Sequence, residues 1–181
     1  MSSHGGDADH DGLGWMTDRQ RDGGVDRISL PATVPGSLEL CGKHAVATRF
    51  ESGSWDTIVC LVERHELDGR YTDYLAWLDG APPEAVWLPI HDLHVPSFDA
   101  MDELVSGIVA RLRAGDRVLV HCAAGMGRAG TTAACVLVRL GSSVDDALAT
   151  VARCRPGAGP EAGVQLDLVR RFADGLRGSP S

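Results

Sequence analysis

The chain has 181 residues, of which 44% are apolar and 23% charged, in keeping with one domain large enough to bury a core. Its formal net charge of -8 argues against non-specific binding to nucleic acid or an anionic membrane, and no stretch approaches the roughly 18 apolar residues of a membrane helix. The five cysteines (Cys41, Cys60, Cys122, Cys135 and Cys154) are odd in number and contain no C-x-x-C pair, which disfavours a disulfide framework or a zinc ribbon and points to free thiols in a reducing cytoplasm.

Residues 1–24 are rich in Gly, Asp and Ser and read as a flexible polar leader. A domain over 25–176 and a tail over 177–181 follow. Val34-Pro35-Gly36-Ser37 marks a turn, and Ala45-Val46-Ala47-Thr48 reads as a short strand. Thr57 to Val62 is a continuous, β-branched apolar run, the pattern of a strand buried on both faces. Tyr71, Tyr74, Leu75 and Leu78 have helical spacing, and Pro82-Pro83 stops that helix. Ala85 to Ile90 reads as a further strand, with Pro89 placing its end at an edge or loop.

His91 to Asp99 reads as a loop. Met101, Leu104, Val105, Ile108, Val109 and Leu112 then recur with the rhythm of a core-facing helix, which Gly115 ends. Asp99 is an N-cap candidate for that helix, and Asp102 a first-turn carboxylate. Val118-Leu119-Val120 is a strand, and a helix follows over about Gly130 to Leu140. Ser143 caps another helix over Val144 to Arg153, Pro156-Gly157 breaks it, and Pro160 opens the last. Strands alternating with helices predict an α/β fold, a single domain with a central, mainly parallel sheet flanked by helices.

The chemistry concentrates in His121-Cys122-Ala123-Ala124-Gly125-Met126-Gly127-Arg128, between a strand and a helix. Loop N–H groups and a helix N-terminus converge there on one point, a natural anion site. Cys122 stands at the loop entrance, where such donors favour a thiolate. Arg128 closes the loop, and its planar fork matches two phosphate oxygens. Taken singly, Cys122 would be an inert buried thiol and Arg128 a solvated first-turn cation. Together with the glycines they describe in-line attack on a phosphate monoester.

This segment, extended through Ala129-Gly130-Thr131, resembles the signature of the protein tyrosine and dual-specificity phosphatase superfamily, and within it the kinase-associated phosphatase group. Leu88-Pro89-Ile90-His91-Asp92, Glu63-Arg64-His65-Glu66-Leu67 and Gln165 extend the similarity over roughly Gly36 to Phe172. The resemblance implies a cysteine nucleophile at Cys122, a phosphate clamp at Arg128, phosphate-binding amides over 122–128, and a general acid on a loop about thirty residues before the cysteine. Asp92 lies 30 residues before Cys122 and fits that role; Asp99 and Asp102 are its rivals. His121 would order the loop, and Gln165 would position the hydrolytic water or simply be a solvated helix residue. No metal or cofactor is called for.

One departure stands out. The family usually carries Ser or Thr directly after the arginine, where its hydroxyl bonds the thiolate; here the residue is Ala129. The expectation is slower release of the phospho-cysteine. Ala123, Ala124 and Met126 are uncharged, which favours singly phosphorylated protein targets over inositol polyphosphates. His91 and His94 flank Asp92 and form a metal pair at most, without an apparent third ligand. Arg64 and His65 either brace the loop or open a short helix. Cys60 ends a strand near the site, where core packing competes with a reversible bond to Cys122.

The expected activity is hydrolysis of phosphotyrosine, and of phosphoserine or phosphothreonine, in proteins through a phospho-cysteine intermediate. A phosphate-binding module with little turnover and a rhodanese-type sulfurtransferase are the alternatives. The expected partner is a phosphorylated protein, with neither nucleic acid nor membrane.

Overall fold

The computed structural model describes residues 24–177. The leader expected over 1–24 lies outside them apart from Gly24, as does the tail after Arg177. Within the described residues five strands form one sheet: β1 (Asp26–Ile28), β2 (Ser37–Gly42), β3 (Thr57–Cys60), β4 (Ala85–Trp87) and β5 (Arg117–Cys122). Their order is β1-β2-β5-β3-β4, antiparallel at β1–β2 and parallel elsewhere. Among the described residues six α-helices flank the sheet: α1 (Lys43–Ala47), α2 (Thr72–Asp79), α3 (Phe98–Ala114), α4 (Gly127–Arg139), α5 (Val144–Cys154) and α6 (Gly163–Arg177). Among the described residues no helix is long and apolar enough to cross a membrane.

The centre of the sheet is β5, flanked by β2 and β3. Its sequence is apolar and β-branched because every residue after Arg117 is buried. Helix α4 follows directly, and its residues 127–138 are all buried. It packs against α3, α5 and α6; Gly130 permits one close approach, since a Cβ there would strike the backbone of Gly159. Ser143 caps α5 by accepting the Asp146 N–H at 3.1 Å.

Three expectations need correction. Ala45 to Thr48 is not a strand: β2 already fills the sheet position beside β5, so the chain leaves the sheet at Gly42 and coils into α1. Tertiary context overrides a weak β-branched signal there. Asp99 does not cap α3; Ser97 does, accepting the Ala100 N–H at 3.2 Å, and Asp99 sits in the first turn. The last helix opens at Gly163 rather than Pro160. Strands β1 and β2 were not anticipated.

Candidate active site

Strand β5 delivers Cys122 to the carboxyl end of the central strand, where open α/β sheets bind ligands. The chain then curls through Ala123 to Met126 and enters α4 at Gly127. Gly125 adopts φ 74°, and a Cβ there would collide with the Cys41 carbonyl of β2. Only glycine allows so tight a turn under the sheet edge. Cys122, Gly125, Met126, Gly127 and Arg128 are buried, whereas Ala123 and Ala124 are half-buried.

Arg128 is held from one side. Its Nη1 donates to Glu66 Oε2 (2.7 Å) and the Ile90 carbonyl (2.8 Å), and its Nη2 donates to Glu66 Oε1 (2.9 Å). Burial works against the guanidinium charge, but the bonds to Glu66 outweigh it and hold its pKa above the usual value. Burial likewise opposes ionisation of Glu66, and Arg128 overcomes it, leaving the carboxyl below its ordinary range. Glu66 itself is fixed by the Glu63 N–H, which donates to Oε2 at 2.9 Å. Arg128 Nε is buried with no hydrogen-bond partner among the described residues.

Asp92 stands at the rim, its side chain 65% exposed, with Oδ1 3.4 Å from Arg128 Nη2. Leu93 follows with φ 61°, a turn unusual for leucine. Of the rival carboxylates, Asp102 pairs with Arg139 of α4, and Asp99 lies in the first turn of α3. His91 Nδ1 bonds Glu63 Oε2 (2.9 Å), and His94 Nδ1 bonds the Asp92 carbonyl (2.8 Å). Among the described residues no group of three or more His, Cys, Asp or Glu is placed to hold a metal.

His121 is fully buried; Nε2 meets the Tyr74 hydroxyl at 2.6 Å and Nδ1 the Cys122 carbonyl at 3.4 Å. Desolvation pulls its pKa down to about 4, so the ring stays neutral near pH 7. Gln165 is also fully buried. Its oxygen accepts the Glu161 N–H (2.8 Å) and its amide donates to the His94 carbonyl (3.4 Å), joining α6 to the Asp92 loop. Cys60 and Cys41 both pair with His121 across the sheet, and burial pushes both thiols up to about 12. Arg64 ion-pairs with Asp79 rather than the loop.

Sequence reasoning assigned no role to Arg155, which is fully buried beneath the loop. Its Nε donates to the Gly125 carbonyl (2.8 Å) and Nη2 to the Ala124 carbonyl (3.0 Å). Its Nη1 reaches Asp26 Oδ2 (2.6 Å) and the Gly24 carbonyl (2.9 Å). An arginine after the last turn of a helix usually complements the dipole in solvent, which masked it. For Glu66 the local signal is its three-residue spacing from Glu63, a capping pattern that says nothing of Arg128.

Residues 42–166 match the family described as "Swiss Army Knife protein, DSP-PTPase phosphatase domain". Among solved structures, Tk-PTP in its active form is 27% identical, with a TM-score of 0.65 over 82% of this chain and 97% of that one. Kinase associated phosphatase, with its catalytic site cysteine changed to serine, shares the fold at a TM-score of 0.72 and 20% identity, over 86% of this chain and 97% of that one. PTPMT1 in complex with PI(5)P shares it at 0.63 and 18% identity, over 77% and 92%. With a cysteine loop on the central strand and a family match over most of its length, the chain belongs to the dual-specificity branch of the protein tyrosine phosphatases, a family of cysteine phosphatases.

Proposed function

We propose that the protein is an active phosphatase that hydrolyses phosphate monoesters on proteins, with Cys122 as nucleophile, Arg128 as clamp and Asp92 as general acid and base. The observation that carries this reading is the state of Arg128. Both terminal nitrogens are committed to Glu66 and Ile90, yet Nε is buried without a partner. A buried donor on a charged group needs an acceptor, and a phosphoryl oxygen above Cys122 supplies one.

In the first step the Cys122 thiolate attacks phosphorus, forming S–P as the P–O bond to the leaving group breaks. Asp92 gives its proton to that departing oxygen. Loop amides and Arg128 neutralise charge on the equatorial oxygens. In the second step Asp92 takes a proton from water, the hydroxide attacks phosphorus, and S–P breaks to return the thiolate and inorganic phosphate. Gln165 holds the Asp92 loop through the His94 carbonyl and so acts on the proposed acid by positioning it.

Uncharged Ala123, Ala124 and Met126 favour singly phosphorylated substrates. A phosphoinositide is the competitor, because one fold relative is seen with PI(5)P. A second reading, phosphate binding with little turnover, rests on Ala129, which is fully buried and offers no hydroxyl to the thiolate.

Turnover of p-nitrophenyl phosphate in EDTA decides between them. The wild type should release product, Cys122→Ser should be dead, and Asp92→Asn should lose the alkaline limb of the kcat/KM pH profile, where the wild-type acid has given up its proton. Retained affinity for vanadate without turnover by the wild type would favour the binding module. Sulfur transfer from thiosulfate would favour the sulfurtransferase.

A further inference from the structure

Glu161, in the connection between α5 and α6, is an exposed acid with no part in the scheme above. Its carboxylate rests against Gly127, the residue between the loop and Arg128: a Cβ at Gly127 would collide with Glu161 Oε2. Glycine at 127 therefore makes room for a carboxylate from another segment. The Glu161 backbone is held beside this contact, because buried Gln165 accepts its N–H at 2.8 Å and also reaches the Asp92 loop through His94. Glu161 is thus an exposed charge in contact with the loop that carries Cys122 and Arg128.

The charges nearby sharpen its effect. The Arg128 guanidinium is bound by Glu66 and faced by Asp92. Lys43 turns its ammonium to the Glu66 carbonyl (2.9 Å), and Arg155 is engaged beneath the loop by Asp26. No side chain between Cys122 and Arg128 carries a charge. Asp92 and Glu161 are exposed carboxylates set against Arg128 and its loop, with Lys43 the further cation nearby, and like charges brought together across an interface exclude a partner.

We infer that Glu161 is a specificity-determining residue that selects monophosphorylated peptides with neutral or basic flanks and rejects substrates with a second anionic group near the phosphate, such as acidic-flanked phosphopeptides and inositol phosphate headgroups. The inference deepens the phosphatase reading and rests on it.

The test compares the full chain with Glu161→Gln, which removes the charge at constant shape, and Glu161→Lys, which reverses it. Each is assayed on matched phosphotyrosine peptides with Arg or Asp beside the phosphoresidue and on a short-chain phosphatidylinositol monophosphate. The readout is the ratio of kcat/KM values, which divides out any common effect on the loop. The wild type should prefer the Arg-flanked peptide over the Asp-flanked one by about tenfold, equivalent to ~1.4 kcal/mol. Glu161→Gln should shrink that ratio, and Glu161→Lys should invert it while raising relative activity on the inositol lipid. Equal ratios in all three proteins, or a wild type that prefers the lipid, would overturn the inference. Affinities of the same ligands for Cys122→Ser and Cys122→Ser/Glu161→Lys separate the two claims. Charge discrimination in binding without any turnover by the wild type would sink the phosphatase reading and leave the role of Glu161 standing.

Discussion

Glu66 grips Arg128 through both carboxylate oxygens, at 2.7 and 2.9 Å, with the arginine side chain only 1% exposed and the glutamate 14%. On the proposed mechanism the pair turns a flexible side chain into a fixed donor, so its ordering cost is met in folding rather than on binding substrate. Breaking it leaves a buried cation without its counter-charge, a loss of ~3–5 kcal/mol in comparable sites.

Glu66→Gln should therefore lower kcat/KM by about 10²-fold, mostly through KM for substrate and Ki for vanadate. The pair also carries a pH dependence. The Glu66 pKa is depressed in the folded chain, so its stabilisation is present above the ordinary carboxylate range and is lost as pH falls through the folded value. Thermal melts at pH 7 and pH 3.5 check this: Glu66→Gln should narrow the gap between the two. An unchanged gap would show that the ion pair does not stabilise the fold.

Arg155 orients the loop from beneath. On the proposed mechanism the loop amides face phosphate, which requires the Ala124 and Gly125 carbonyls to turn away, and Arg155 donates to both. Arg155→Met should weaken vanadate binding and slow Cys122 alkylation at neutral pH, each by at least about tenfold. Asp26→Asn keeps a hydrogen-bonding side chain beside Arg155 but removes its counter-charge, and should be milder. A purely structural Arg155 would shift the melting temperature and leave the alkylation rate of the folded protein untouched.

His121 is neutral and should stay so across the working pH range. Its folded pKa of about 4 lies below the ordinary value of 6.5. The unfolded chain gains the proton first, so the stability contribution is fully present above pH 6.5 and is lost as pH falls towards 4, a loss of about 3 kcal/mol. Denaturant titrations should show His121→Gln losing less stability than wild type between pH 7 and pH 4.5. The pH–rate profile above pH 5 should keep its shape in this variant.

Ala129 stands where the family usually carries a hydroxyl, directly after the arginine. Restoring one with Ala129→Ser supplies a hydrogen bond to a charged group worth ~1.5–3 kcal/mol and should speed departure of the sulfur from phosphorus. Wild type is expected to show a burst of p-nitrophenol followed by slow turnover; the variant should lose the burst and gain kcat by about tenfold or more. A variant with the same burst and the same kcat would mean that breakdown of the intermediate does not limit turnover.

The strand, tight turn and helix start that carry Cys122, Gly125 and Arg128 were legible in the chain because their signal is local: the three elements are contiguous. The periodic helices α3 and α4 were legible for the same reason, since each face repeats within a few residues. What tertiary structure alone decided is how that turn is held. Glu66 lies 62 residues before Arg128 and Arg155 lies 30 beyond Gly125, and an isolated glutamate or arginine carries no periodicity to say where it will be buried. The same holds for Glu161, which reaches Gly127 only because α5 and α6 fold back over the loop, and for β1, too short to announce itself until Asp26 meets Arg155. Short-range backbone chemistry is written in neighbouring residues, whereas the burial that gives a distant charge its strength exists only once the chain has closed on itself.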